Sequence, residues 1–143
     1  MSTDLTRNSA YHIRFAELAA REAQRVLPIF ERAHPDDDRP RKAIDAIKAW
    51  VAGKRTLGMA EVRRLSLDAH AAAREASSPA ATYAARAAGH AVATWHAPTH
   101  AMGAPIYAGK AEVAALKESW TAKGIARGVA TARPRRTTRL LSD

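Results

Sequence analysis

About a quarter of this 143-residue chain is alanine, and the alanines recur at intervals of three and four residues. Alanine has the best intrinsic helix propensity and a very small side chain. Spacing of three and four places side chains on one face of an α-helix, and no segment shows the alternation typical of a β-strand. The sequence therefore predicts an all-α fold, a compact alanine-rich bundle of about five helices.

The apolar stripes define five predicted helices. The first stripe is Ile13, Ala16, Ala20, Ala23, Leu27 and Phe30, and the second is Ala43, Ile44, Ile47, Trp50 and Val51. The third is Val62, Leu65, Ala69, Ala72 and Ala76, and the fourth is Ala80, Ala84, Ala87, Ala91 and Trp95. The fifth is Met102, Ile106, Gly109, Val113, Leu116 and Trp120. We expect each stripe to be buried, and Phe30 and the three tryptophans to hold the core together.

Prolines, glycines and acids mark where these helices begin and end. Pro28 is expected to kink the first helix or to mark a loosened last turn. The second helix should begin within residues 37–40, since acids and proline suit a first turn, and Gly53 should follow its end. Residues 78–79, Ser-Pro, are expected to cap and start the fourth helix, and Pro98 should separate it from the fifth.

The net charge of +9 is concentrated near the end of the chain. Five arginines precede the next acidic residue there: Arg127, Arg133, Arg135, Arg136 and Arg139. We therefore divide the chain into a helical domain, residues 1–126, and a basic flexible tail, residues 127–143. The tail would give weak, non-specific attraction to nucleic acid, although it has no aromatic residue on which a base could stack. A basic helical nucleic-acid-binding module is the alternative function.

Several classes of protein are not expected. Cysteine is absent, which excludes disulfides and thiolate chemistry and fits a reducing compartment. The N-terminus lacks the apolar run of a signal peptide, and no window reaches the roughly 20 apolar residues of a membrane span. Glycine-rich phosphate loops and nucleophile elbows are also missing. We expect a cytoplasmic protein with no membrane partner, no catalytic residue and no cofactor; its oligomeric state stays open.

Three histidines fall in the short segment 90–100. His96 and His100 have the i, i+4 spacing with which a helix can bind one metal ion. Two ligands do not make a site, and Pro98 interrupts the helix that would align them. We therefore predict that His90, His96 and His100 form a polar cluster without metal. Three other polar groups are expected at helix interfaces: His70, Tyr83 and Arg86.

The loop between the first two helices is both acidic and basic. Its charged residues, bracketed by Pro35 and Pro40, are Asp36, Asp37, Asp38, Arg39 and Arg41. A linear acidic run lacks the spaced ligands and the glycine of a calcium loop. We predict that one aspartate caps the second helix, that another favours its dipole, and that Arg39 or Arg41 pairs with a neighbour, so that the loop is structural. Recognition of a partner by the same residues is the alternative.

Short segments in a fixed order give this chain a family likeness. They are Val-Leu-Pro-Ile-Phe-Glu at 26–31, Asp-Asp-Asp-Arg-Pro-Arg at 36–41, Ala-Ile at 43–44, Ala-Trp at 49–50, Ala-Ala-Gly-His-Ala-Val-Ala-Thr at 87–94 with His96 and His100, and Tyr-Ala at 107–108. Together they resemble a bacterial family of putative immunity proteins with an immunity-five-like helical domain. The resemblance runs from about Phe15 to Lys110.

The resemblance implies an all-helical domain without a cofactor that neutralises a cognate bacterial toxin by binding it. The resemblance thus predicts a fold and a class of binding partner. The basic charge argues against a nuclease as the toxin, because an inhibitor that mimics nucleic acid is expected to be acidic.

Overall fold

The computed structural model describes residues 9–124, and this part of the chain is helical without any strand. Its elements, in order, are α1 (Ala10–Ala33), α2 (Arg39–Val51), α3 (Met59–Glu75), α4 (Pro79–Ala93), a 3₁₀ helix (Pro98–Met102) and α5 (Gly103–Ala122). The predicted all-α class is confirmed. The predicted tail, residues 127–143, lies outside the described residues. No helix in the described range is both long and apolar enough to cross a membrane.

The helix ends follow the capping residues in the sequence. Ser78 Oγ accepts a hydrogen bond from the Ala81 N–H over 3.2 Å, and Pro79 is the first residue of α4, as predicted. Gly53 follows α2 with φ +73°, a conformation that glycine adopts without strain. Pro28 does not mark the last turn of α1, which continues to Ala33. The expectation of a loosened last turn was therefore wrong, and Leu27 and Phe30, on either side of the proline, are both buried.

α4 is the central helix of the bundle. It packs against all four other α-helices, and ten of its fifteen residues are buried. The remaining helices surround it in the order α5, α1, α2, α3, with contacts between each neighbouring pair. Within the described residues, α3 and α5 do not contact each other. A seam therefore remains between α3 and α5, and α4 forms its floor.

The core contains a few large side chains among many alanines. Phe30, Ile44 and Ile47 are fully buried, and Trp95 is nearly so. His12, which the sequence pattern did not single out, is also buried. Its Nε2 donates to the Thr94 carbonyl oxygen over 2.7 Å, so it joins the start of α1 to the end of α4. A buried histidine of this kind is a structural link between helices.

The prediction for α5 was wrong. The large apolar side chains of the predicted stripe face solvent, with between 50% and 64% of each exposed: Met102, which directly precedes α5, and Ile106, Val113, Leu116 and Trp120. The buried face consists of alanines: Ala104, Ala108, Ala111 and Ala114. α4 also presents alanines, so the two helices pack closely and only small side chains fit between them. Trp120 consequently does not belong to the core.

Candidate functional site

A cluster of aromatic rings fills the seam between α3 and α5. Its centre is His90 on α4, whose ring lies 5.3 Å from that of His70 on α3, 5.8 Å from that of His100 in the 3₁₀ helix, and 5.1 Å from that of Tyr107 on α5. The Tyr107 contact is a stack, with 17° between the planes. His90 therefore joins four separate elements through ring contacts.

The cluster extends in two directions from His90. The rings of His96 and His100 are 5.5 Å apart, so the three histidines of segment 90–100 form a continuous row. In the other direction, Tyr83 lies 6.1 Å from Tyr107. Lys110 Nζ lies 5.1 Å from the Tyr107 ring centre and 5.8 Å from that of Tyr83. Both distances are within the range of a cation–π interaction.

Two glycines make room for the histidine rings. A Cβ atom at Gly89 would lie 2.6 Å from His70 Nε2, and one at Gly103 would lie 2.5 Å from the ring of His90. Neither distance is compatible with van der Waals contact. The rings can therefore approach α4 and α5 this closely only because both positions lack a side chain.

Burial keeps the central histidines uncharged. It lowers the pKa of His70 to about 4, and the neighbouring Arg86 guanidinium adds to this effect. Arg86 Nη1 donates to His70 Nδ1 over 2.8 Å, so that nitrogen must be the unprotonated one. Burial also lowers the pKa of His90 and His100, and proximity of the rings lowers both pKa values further. His70, His90 and His100 are therefore uncharged at neutral pH.

The histidine cluster has no arrangement suited to a metal ion within residues 9–124. No group of three or more histidine, aspartate or glutamate side chains there could hold one. His96 follows the end of α4 and His100 lies in the 3₁₀ helix, so their i, i+4 spacing does not place them on one α-helix. Pro98 starts the new element between them.

The charged loop is closed by ion pairs. Asp37 Oδ1 accepts from the backbone N–H of Arg39 over 3.1 Å and from its Nε over 2.9 Å. Arg39 Nη2 donates to Asp37 Oδ2 over 2.7 Å and also reaches Glu75 at the end of α3. The hydrogen bonds from Arg39 hold the pKa of Asp37 below its ordinary value. The Asp37 carboxylate thus binds the first N–H of α2 from the residue before the N-cap, and Arg39 joins the loop to α3.

The other loop residues differ in their contacts. Arg41 Nε and Nη2 donate to the two carboxylate oxygens of Glu31, each over 2.6 Å, which joins α2 to α1. These bonds lower the pKa of Glu31. Asp38 occupies the N-cap position without a side-chain capping bond and pairs with Lys42 at 3.4 Å. Asp36 is exposed.

The exposed side of α5 is the third notable surface. We call it the outer face, and define it as Met102, Ile106, Gly109, Val113, Leu116 and Trp120. An open groove of about 630 Å³ runs along one edge, with Tyr83 of α4 on its opposite wall and Lys110 and Lys117 on the α5 side. The sequence pattern identified these positions as one stripe but assigned them to the core.

The structure also adds residues to the histidine cluster that the sequence did not connect with it. His70 joins the histidines of segment 90–100, and Gly89 and Gly103 give their rings space. Nothing in the spacing of the chain relates residue 70 to residue 90, because their proximity depends on how α3 packs on α4. A histidine on the apolar side of an alanine-rich helix is the signal that could have suggested it.

Comparison with known proteins identifies one family. A family model described as "Imm-5 like putative immunity protein" matches residues 6–139, which is most of the chain. No curated protein and no solved structure matches the sequence.

Proposed function

Because this chain belongs to the Imm-5 like putative immunity protein family, we propose that it neutralises a cognate bacterial toxin by binding it directly. The family match over residues 6–139 is the observation that carries the proposal. The protein acts in this view without catalysis and without a cofactor. Its lack of cysteine fits the reducing cytoplasm, where we place it.

We assign the charged loop a structural role in this function. Both arginines that could have recognised a partner already bind carboxylates: Arg39 binds Asp37 and Glu75, and Arg41 binds Glu31. Moving either arginine to a partner would leave those carboxylates unpaired. The loop residues therefore hold the ends of α1, α2 and α3 in position, and the partner is bound elsewhere.

A growth experiment tests the proposed function. The protein encoded beside this gene is expressed from an inducible promoter in a host that has neither gene, with or without this chain on a second plasmid. We expect the neighbour to stop growth and this chain to restore colony counts to the uninduced level. Phe30→Asp, which disrupts a fully buried position, is the inactive control. A toxic neighbour that kills equally with and without this chain would contradict the proposal.

A further inference from the structure

The outer face of α5 has the spacing of a helix-binding surface. Its six positions follow one another at intervals of four, three, four, three and four residues. This is the spacing at which one helix presents a continuous apolar seam to a second helix. The opposite side of α5 is already buried on the bundle through its alanines, so the seam is directed outwards.

The apolar area of this surface is comparable to that of the largest patch on a typical monomer, and such patches are often functional. From the exposed fractions of its five large side chains, it presents on the order of 500 Å² of apolar area. Tyr11, Phe15 and Leu18 of α1 are also partly exposed, and they share a side of α1 with Arg25, which binds Glu112 of α5. The outer face alone supplies more than half of the roughly 800 Å² that one partner contributes to a standard protein interface.

Charge distinguishes the two edges of the outer face. On the groove side, Lys110 and Lys117 are both exposed and lie about two turns apart on α5. On the α1 side, Glu112 is held by Arg25, which also binds Glu22, so these three side chains carry one net negative charge. The apolar seam is therefore bordered by positive charge along the groove.

A second copy of this chain fits these charges poorly. An antiparallel pairing of two outer faces would bring the lysine-bearing edges together, and like charges across a helix interface are destabilising. A parallel pairing could join Glu112 to Lys117 of the other copy, but only by releasing Glu112 from Arg25. Each copy also carries a net charge of +9, which opposes self-association.

We propose that the outer face of α5 is the toxin-binding surface and that it receives an amphipathic helix with acidic residues on the edge that faces the groove. The apolar side chains of that helix would pack on Val113 and Leu116 around the open space at Gly109, where no atom lies within 4 Å of the position that a Cβ would occupy. Its carboxylates would pair with Lys110 and Lys117. The identification of the partner as a toxin rests on the proposed function.

A designed peptide tests the chemistry of the surface without the toxin. The probe is a fluorescein-labelled helical peptide of about 21 residues with leucine and isoleucine at the seam positions and glutamate on both flanks. One comparison peptide has lysine on the flanks, and another has the glutamate peptide's composition in scrambled order. Fluorescence anisotropy is measured with the full chain at physiological salt, so that weak non-specific attraction is screened.

Two leucines provide a matched pair of variants. Leu116 on the outer face is 58% exposed and Leu67 on α3 is 59% exposed, so replacing either with serine changes the fold equally little. We expect the glutamate peptide to bind about tenfold or more tightly than both comparison peptides. Leu116→Ser should weaken its binding about tenfold, and Leu67→Ser should leave it unchanged. Replacing Lys110 and Lys117 with alanine should remove the preference for glutamate.

Other results would overturn the proposal. Equal binding of the scrambled peptide would show that charge alone attracts it. Equal effects of Leu116→Ser and Leu67→Ser would show that the outer face is not the site. A dimer in sedimentation that Leu116→Ser converts to a monomer would show that a second copy occupies the face.

The same variants in the growth experiment distinguish this inference from the proposed function. We expect Leu116→Ser to lose protection against the toxin and Leu67→Ser to keep it. If wild type and both variants protect equally, the immunity function stands and the assigned face is wrong. If wild type does not protect while the peptide binds as expected, the surface stands and its assignment to a toxin is wrong.

Discussion

Replacement of Gly89 by alanine tests the packing of the histidine cluster. In an open helix interior this change would stabilise the protein by about 1 kcal/mol, because alanine has the better helix propensity. Here the new Cβ would lie 2.6 Å from His70 Nε2, and the ring is held by Arg86 on one side and His90 on the other. Overpacking costs about 1–3 kcal/mol, and because this ring is held on both sides we expect a cost in the upper part of that range. We therefore expect a net loss of about 1–2 kcal/mol.

Removing the ring should reverse the sign of this effect. In a His70→Ala background the added methyl group meets no imidazole, so Gly89→Ala should stabilise the protein by about 0.5–1 kcal/mol. The two changes are then coupled by about 1.5–3 kcal/mol. Gly109→Ala on α5 is the matched control, because no atom lies within 4 Å of its would-be Cβ. It should stabilise the protein in either background.

Urea unfolding followed by circular dichroism at 222 nm gives the four free energies of the cycle, and the slope with denaturant shows whether the unfolded state is comparable. The reasoning would be refuted if Gly89→Ala stabilised wild type as much as Gly109→Ala does. It would also be refuted if the loss in Gly89→Ala persisted without the His70 ring.

Three further changes have defined outcomes. Folding lowers the pKa of His70 to about 4 from an ordinary 6.5, so the unfolded chain takes up the proton first. The free energy of unfolding should therefore fall as the pH drops from 6.5 towards 4. His70→Gln should reduce this pH dependence between about pH 6.5 and 5, as measured by urea unfolding. Asp37→Ala should lose about 0.5–2 kcal/mol of stability in thermal melts, and Asp38→Ala, which removes no capping bond, only a few tenths. Deleting residues 131–143 should leave the melting temperature unchanged and reduce binding of a labelled DNA duplex to background; tight binding at physiological salt after the deletion would favour the nucleic-acid alternative.

The first four helices could be predicted because alanine satisfied two requirements at once. It gives a strong helical pattern, and it is small enough to be buried wherever helices pack closely. Serine before proline at residues 78–79 and glycine at residue 53 then set the helix ends by local bonding alone. These features need no knowledge of the rest of the chain.

The fifth helix shows where the same reasoning stops. Two candidate faces compete on α5, one of large apolar residues and one of alanines, and hydrophobicity favours the first. The choice is made by α4, whose alanine surface leaves no room for Val113 or Leu116. Such a preference is a property of the neighbour and does not appear in the segment itself. The error also revealed the most prominent exposed apolar surface of the described residues.

The histidine cluster could be predicted in part for a similar reason. The row of His90, His96 and His100 is local in sequence, and a polar cluster was expected there. Its link to His70 depends on the packing of α3 on α4, and its stack on Tyr107 depends on the close approach of α5. Long-range contacts of this kind leave no periodic signal in the sequence.

Direct binding to the toxin is the central claim, and titration calorimetry of the two purified proteins tests it most directly. The partner is the toxic protein encoded beside this gene, and the toxin's own activity is measured in the same mixtures. We predict saturation at one equivalent and loss of toxin activity in proportion to the complex formed. No heat of binding at micromolar concentrations, with toxin activity unchanged by an excess of this protein, would contradict the account.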